Sequence, residues 1–375
     1  MSLPQEVSGT IVRPPVARET IRVGVIGAGF GANVHVPALR RVPGVDVTAL
    51  CGTQPVKLKE IASTLEIPRT YDDYRQLFES GIIDAVTIAA PPHLHHPMTL
   101  AACEAGLHVL SEKPMARNVA EARDMLRMAR EAGVCHAVAH QSRHDPARAR
   151  MKELLDEGFI GKLHSVSAMV YRSSLADPER RTQECLTDAG RAGGILSNIG
   201  SHYIDLLRWW FGEIHAACGA TATAVTERAV IGSPGIRRVN ADDNAAFILR
   251  FANGGIGTVH LSYTSASEIG EEIIATGSEG VLVIHDDGKL YGSRHGEPVK
   301  HLVLPGRSSQ IKGGTARHIR SFSILAGGWV LAMRTGTDAA PSFEDGARVQ
   351  EVVDAVNRSQ QLSRWIDLSG NKWPV

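Results

Sequence analysis

Residues 21–32 read IRVGVIGAGFGA, a mostly apolar run followed directly by a glycine-rich turn. The run 21–27 is typical of a buried parallel strand, and the residues after it open a predicted helix. Gly27 allows a tight bend, Gly29 lets the backbone approach a pyrophosphate, and Ala32 is small enough for helix-to-strand packing. Because a helix N-terminus attracts anions, the segment predicts a dinucleotide site. Its candidate residues are Gly27, Gly29, Phe30, Gly31 and Ala32.

Strand-like and helix-like segments alternate after this turn, a pattern typical of βαβ units. The predicted helix 118–131 begins with Asn118 and Glu121 at N-cap and N3 spacing, and Gly133 follows its end. We therefore expect an α/β fold with a short tail over residues 1–20 and a Rossmann domain, a doubly wound parallel sheet, over 21–143. Further strands of this sheet are predicted at 45–51, 83–89, 108–111 and 134–139.

The pattern changes beyond this domain, where alternating strands dominate. A strand at 163–171 and a helix at 197–211 precede several alternating stretches separated by glycine-containing turns. Residues 144–375 are thus predicted to form a C-terminal α+β domain with a large, mostly antiparallel sheet. Its later strands are predicted at 244–251, 257–263, 272–276 and 281–285, and its last helices at 315–333 and 343–359.

The composition favours small-molecule partners. Forty basic and forty acidic residues give a formal net charge of zero, which offers no broad attraction for nucleic acid or an anionic membrane. The five cysteines are scattered and lack the close pairs of zinc sites, so we interpret them as reduced thiols. Without an apolar signal peptide or a run of about 20 apolar residues, the expected location is the cytoplasm.

The end of the second predicted strand does not choose between NAD and NADP. An acidic residue there would bind the ribose hydroxyl of NAD, and a cation would favour the phosphate of NADP. The chain has Gly52 and Thr53 at this point instead. Lys57 and Lys59 follow and could meet a phosphate, but lysines on an exposed helix usually only face solvent.

Lys113 lies just after a predicted strand, within the sequence Ser111-Glu112-Lys113-Pro114. Ligands of open α/β sheets bind at this end of the strands. The proline restrains the preceding residue, so the Lys113 ammonium is predicted to be held where it can polarise a substrate oxygen. An ordinary salt-bridged surface lysine is the alternative.

His202 is the second candidate for chemistry. Asn198 and His202 are four residues apart and His202 and Asp205 three apart, so all three share one side of a helix. Imidazole, with an ordinary pKa of about 6.5, can exchange a proton with an alcohol near neutral pH. A purely structural histidine is the alternative.

His93, His95 and His96 could chelate a metal, but no cysteine or carboxylate cluster accompanies them, and no metal site is predicted.

Together these segments resemble the Gfo/Idh/MocA oxidoreductase family, which includes glucose-fructose oxidoreductase and inositol 2-dehydrogenase. The resemblance covers residues 21–368 and rests on the glycine-rich opening, the Glu112-Lys113-Pro114 segment, the segment from Gly193 to Asp205 and the closing Phe343-Glu344-Asp345-Gly346. It implies a large open sheet in the second domain and assembly into homodimers or homotetramers, which an exposed apolar sheet face would also favour. It further implies that Lys113 and His202 face the substrate.

The same resemblance implies that His95 and Glu112 line the cofactor cleft, and Pro91 is a further cofactor candidate. Arg143, just past the last Rossmann strand, is expected to touch cofactor or substrate, and Asp205 is placed with the substrate group. The chain departs from the family where Asn198 replaces a frequent aspartate, and where Ala90-Pro91-Pro92 replaces Thr-Pro-Asn. Asn198 can hydrogen-bond but cannot accept a proton as a carboxylate does.

The expected activity is oxidation of a secondary alcohol on a sugar, cyclitol or related polyol by NAD or NADP. His202 would take the hydroxyl proton and Lys113 would stabilise developing negative charge, while Asn198 and Asp205 would position the lysine and the histidine. Two alternatives stay open: a glycoside hydrolase that retains NAD, and a non-catalytic NAD(P)-binding sensor.

Overall fold

The computed structural model describes residues 19–302 and 314–370. The N-terminal half forms a six-stranded sheet in the order β3-β2-β1-β4-β5-β6, and every pair in it is parallel. This strand order confirms the predicted doubly wound sheet. The direction of the order reverses between β1 and β4, and the reversal opens a crevice at the carboxyl ends of these two strands. The strands are β1 (Ile21–Ile26), β2 (Val45–Cys51), β3 (Arg69–Tyr71), β4 (Ala85–Ile88), β5 (His108–Ser111) and β6 (His136–Val138).

Helices flank this sheet on both faces. The helix after the glycine turn opens with a π turn, Gly31–His35, before the short helix α1 (Val36–Leu39). The predicted capping of α5 is present, because the Asn118 side chain accepts a hydrogen bond from the Glu121 amide. The remaining helices here are α2 (Pro55–Thr64), α3 (Tyr74–Glu79), α4 (His95–Glu104) and α5 (Val119–Glu131).

The second sheet has nine strands in the order β16-β15-β14-β13-β7-β12-β11-β8-β17. Only the pair β7–β12 is parallel among these described strands, so the prediction of a large, mostly antiparallel sheet is confirmed. A separate hairpin, β9 with β10, stands outside it. The strands are β7 (Leu163–Tyr171), β8 (Ile214–Ala222), β9 (Glu227–Ala229), β10 (Ile236–Arg238), β11 (Asn244–Phe251), β12 (Ile256–Ser262), β13 (Gly270–Gly277), β14 (Gly280–His285), β15 (Leu290–Arg294), β16 (Lys300–Leu302) and β17 (Ile366–Asp367).

Three helices cover one face of the nine-stranded sheet: α6 (Pro146–Asp156), α7 (Ser201–Phe211) and α9 (Phe343–Leu362). Along β11, Phe247 and Leu249 are buried beneath them while Ile248 and Arg250 are exposed. This period of two is expected when only one face is packed. The opposite face carries exposed apolar side chains, including Met169 and Ile256.

Helix α8 (Thr315–Thr335) returns to the first sheet. The sequence division places it within residues 144–375, yet its apolar side packs into the core of the nucleotide-binding domain. Trp329 and Phe322 are fully buried there, against residues such as Ile21 and Leu39. A helix that follows the second sheet in the chain thus completes the core of the first domain. No helix in the described ranges is long and apolar enough to span a membrane.

Candidate active site

The glycine turn leaves an open backbone cradle at the crevice between β1 and β4. Gly27 has φ +117°, and a Cβ there would lie 2.5 Å from the Ala89 carbonyl oxygen. A Cβ on Gly29 would meet nothing within 4 Å, so backbone is exposed to the crevice. Gly31 and Ala32 instead pack inward, Ala32 being buried against the sheet. A bare cradle beside a helix start fits a dinucleotide pyrophosphate.

A cavity of about 340 Å³ lies on one side of this cradle. It is bounded by Gly52 and Thr53 at the end of β2, and its apolar wall includes Leu94 and Met98, which suits an adenosine group. Lys57 and Asp72 are the charged side chains among its described lining residues. Of the two lysines that could have met a 2′-phosphate, only Lys57 reaches this cavity.

A larger cavity of about 650 Å³ continues from the other side of the cradle, and the two share Gly29 and Pro91. Phe30, Glu112, Lys113 and Asn198 line it. Its outer wall is a covering loop, residues 172–192, which bonds to the β9–β10 hairpin, since the Thr182 amide donates to the Ala229 carbonyl. One continuous cleft is thus lined by Phe30 and Glu112 of the predicted cofactor residues and by Lys113 and Asn198 of the predicted substrate residues.

Lys113 is held by Asn198, a residue 85 positions later in the chain. The lysine Nζ donates to Asn198 Oδ1 at 2.6 Å, and Asn198 Nδ2 donates to the Tyr263 hydroxyl at 2.6 Å. The peptide bond before Pro114 is cis. Burial lowers the pKa of Lys113, and the neighbouring Glu112 carboxylate opposes that effect. Asn198 therefore orients the lysine without adding negative charge.

His202 faces the same space as Lys113. Both line a third cavity of about 250 Å³, together with Phe30 and Ser142. The ring Nδ1 lies 3.3 Å from the Ser142 hydroxyl. Burial, and secondarily the charge of Lys113, moves the pKa of His202 well below its ordinary value. The imidazole is therefore neutral at physiological pH and able to accept a proton.

Arg143 and Asp205 are placed differently from the expectation that they contact substrate. Arg143 Nε donates to Asp205 Oδ2 at 2.8 Å, and its Nη2 also reaches Asp345 Oδ1 at 3.0 Å. Asp205 is fully buried, and neither residue is among the described residues that line the three cavities. They form a buried ion pair that joins the segment after β6 to α7, beneath His202.

His95 is also displaced from its implied position. It is buried behind the cleft wall, with Nδ1 2.9 Å from the Pro114 carbonyl and Nε2 2.8 Å from the Ala90 carbonyl. It thus fixes the backbone on both sides of the cleft rather than lining it. His96 bonds to Asp124. Among residues 19–302 and 314–370, no group of three or more His, Cys, Asp or Glu side chains is arranged to hold a metal ion.

Two site residues were missed from the sequence. Tyr263 ends a predicted strand and bonds to Asn198, and His35 lies on the helix after the glycine turn and bonds to Glu112. The position of His35, four residues past Gly31, was the available signal. Nothing in the local sequence marked Tyr263, because its partner comes from a distant element.

The fold and the site define the class of protein: an oxidoreductase built on a nicotinamide-dinucleotide cleft. Comparison with known proteins gives the family. The description "oxidoreductase family, NAD-binding Rossmann fold" matches residues 21–140, and the Gfo/Idh/MocA C-terminal domain matches residues 149–283. The chain belongs to the Gfo/Idh/MocA family, as the sequence resemblance indicated.

Individual relatives extend along most of the chain. Levoglucosan dehydrogenase from Pseudarthrobacter phenanthrenivorans is 27% identical, covering 93% of this chain and 98% of that protein. 1,5-Anhydro-D-fructose reductase from Ensifer adhaerens is 30% identical over 70% of this chain and 75% of that protein. A solved levoglucosan dehydrogenase in complex with NADH superimposes with a TM-score of 0.85 at 26% identity, covering 93% and 99% of the two chains.

Proposed function

We propose that this protein oxidises a secondary alcohol of a sugar, cyclitol or related polyol, with NAD or NADP as the hydride acceptor. The observation that carries the proposal is that Lys113 and His202 line one cavity, and that Lys113 also lines the adjoining cofactor-sized cavity. The names of the relatives, a levoglucosan dehydrogenase and an anhydrofructose reductase, support a carbohydrate substrate.

The proposed mechanism assigns each side chain one task. Burial depresses the pKa of His202, so the ring is neutral and free to take the proton of the substrate hydroxyl. The Lys113 ammonium stabilises the negative charge that develops on the same oxygen. Asn198 holds the ammonium in place. Gly29, Phe30 and Glu112 would hold the dinucleotide, whose nicotinamide would supply the two-electron acceptor for the carbon-bound hydride.

The first test is a turnover assay of the purified protein with NAD⁺ or NADP⁺ across inositols, sugars and sugar acids, followed by reduced-nicotinamide absorbance. Turnover with one cofactor is expected. In Lys113→Ala, kcat should fall at least about a hundredfold while the Kd for the cofactor stays within about threefold. Equal activity of the variant would remove the role of Lys113.

The same assay separates the two alternatives. A protein that copurifies with NAD and cleaves a glycoside without net reduction would be a retained-cofactor hydrolase. Binding of the cofactor without any turnover would indicate a sensor. The retained Lys113 and His202, which a sensor does not need, favour the dehydrogenase.

Assembly and location are part of the proposal. The uncovered face of the nine-stranded sheet exposes Met169, Ile248 and Ile256, which supports a homodimer or homotetramer. Light scattering on the protein eluting from a size-exclusion column would give the mass, and a monomer would contradict this assignment.

All five cysteines lie in the described ranges as free thiols, three of them buried, which is compatible with the reducing cytoplasm that we propose.

A further inference from the structure

His35 occupies an unusual position between three elements. It lies in the π turn directly after the glycine cradle, and its side chain is fully buried. The ring stacks on Phe322 of α8 with 3.9 Å between centroids, and it meets the edge of Phe30 at 5.6 Å. The histidine is therefore fixed to the cofactor turn by its backbone and to α8 by its ring.

The remaining contact of His35 leads to the lysine. Its Nε2 lies 3.2 Å from Glu112 Oε1, and the other oxygen of that carboxylate accepts a hydrogen bond from the Lys113 backbone amide at 3.1 Å. Glu112 is itself buried and lines the large cavity. A continuous chain of contacts thus runs from the cofactor turn through His35 and Glu112 to the residue before the cis peptide bond.

This series of contacts would be energetically unfavourable if its only purpose were packing. A buried carboxylate loses its hydration, and buried ion pairs can often be replaced by apolar residues without loss of stability. In addition, Nδ1 of His35 has no hydrogen-bond partner within the described part of the structure. The polar pair is thus better explained by what it does to its neighbour Lys113.

We propose that His35 and Glu112 are positioning residues that join the cofactor turn to Lys113 and keep its ammonium charged, an inference that rests on the function proposed above. Glu112 fixes the backbone at Lys113 and places a negative charge beside it. His35 donates to Glu112 and anchors that carboxylate to the turn that carries the dinucleotide.

The electrostatics agree with this arrangement. Burial alone would raise the pKa of Glu112, but the hydrogen bond from His35, together with the charges of Lys113 and His95, gives a net lowering. The anionic Glu112 in turn opposes the effect of burial on the pKa of Lys113. The charge of Lys113 also contributes to lowering the pKa of His140, His202 and His318, and Glu112 opposes this effect at His318.

The test measures Lys113 directly, without a substrate. The pKa of Lys113 is obtained from the pH dependence of its acetylation by acetic anhydride, followed by mass spectrometry, in the wild type, His35→Leu and His35→Gln. His35→Leu removes the donor that holds the Glu112 carboxylate beside Lys113, so the carboxylate should move away and the pKa of Lys113 should fall by about half a unit or more. His35→Gln keeps an N–H near the same place and should restore most of the shift.

His96→Leu is the matched control, because His96 forms a similar histidine–carboxylate pair with Asp124 away from Lys113. It should leave the acetylation profile unchanged. Once a substrate is known, His35→Leu should lower kcat roughly ten- to a hundredfold and move the alkaline limb of its pH profile to lower pH. An unshifted Lys113 in folded His35→Leu, or equal shifts in the Leu and Gln variants, would overturn the proposal. Absence of turnover in the wild type would instead count against the dehydrogenase alone.

Discussion

Asn198 shows how much one atom matters at the residue scale. In place of the aspartate frequent in the family, its amide bridges Lys113 and Tyr263, accepting from one and donating to the other. This bridge leaves Glu112 as the neighbouring negative charge that opposes the effect of burial on the lysine pKa.

Asn198→Asp should therefore raise the pKa of Lys113, because a carboxylate 2.6 Å from the ammonium favours its charged form. The alkaline limb of the kcat profile is expected to move up by about one unit or more. The Tyr263 hydroxyl can rotate to donate to the new carboxylate. The measurement is kcat against pH in both proteins. An unmoved alkaline limb would show that Lys113 ionisation does not control turnover.

His202 gives a prediction for the acidic side of the same profile. Proton acceptance needs the neutral ring, and the pKa of His202 is held well below 6.5 by burial and by Lys113. Alcohol oxidation should therefore keep its kcat as the pH falls through 6.5 and decline only under more acidic conditions. A decline centred at or above pH 6.5 would contradict the assignment of His202 as the proton acceptor.

At the scale of elements, the ends of β2 and β3 decide what the adenosine cavity accepts. Lys57 at the start of α2 and Asp72 after β3 line it from different elements. Burial raises the pKa of Cys51, the last residue of β2, to about 12, and the charges of Asp73 and Asp72 contribute to that shift. Asp72 and Asp73 thus add negative charge near the end of β2, opposite in sign to Lys57.

Asp72→Asn should shift the ratio of NADPH to NADH affinity towards NADPH by about threefold, the size typical of a solvent-exposed charge. Fluorescence titration with both cofactors gives the ratio. Asp46→Asn, on the exposed opposite end of β2, is the control and should leave it unchanged. If Lys57→Gln shifted the ratio towards NADH by more than Asp72→Asn shifts it towards NADPH, the lysine would govern the choice between the two cofactors.

Sequence patterns predicted these elements well where local chemistry determined them. The glycine turn, the cap of α5 and the alternation of β11 all depend on neighbouring residues, and each could be predicted from the sequence. The pairing of Arg143 with Asp205 was not, because spacing shows which face of α7 Asp205 occupies but not which distant side chain meets it. The same limit hid the bond between Asn198 and Tyr263. The β9–β10 hairpin was missed because its strands are only three residues long.

For the whole molecule, α8 is the element whose role depends most on tertiary packing. Its periodicity predicts a helix, but an apolar stripe does not specify which sheet it covers. Trp329→Ala should lower the free energy of unfolding by about 3–5 kcal/mol, because the indole is fully buried in the core of the nucleotide-binding domain.

Chemical denaturation followed by circular dichroism would measure this change. Leu331→Ala, two residues along the same helix at a side chain that is 61% exposed, is the control and should alter stability by less than about 0.5 kcal/mol. If the two variants behaved alike, α8 would not be a structural part of the first domain.

The return of α8 also has a consequence for biosynthesis. A ribosome releases residues 21–143 long before residues 315–335, yet Phe322 and Trp329 complete the apolar core around β1. The nascent nucleotide-binding domain must therefore wait, with part of its apolar surface uncovered, while some 170 further residues are made. Chains arrested before residue 315 should bind chaperones and resist protease poorly, and the nucleotide-binding domain should mature only after residue 335 has been made.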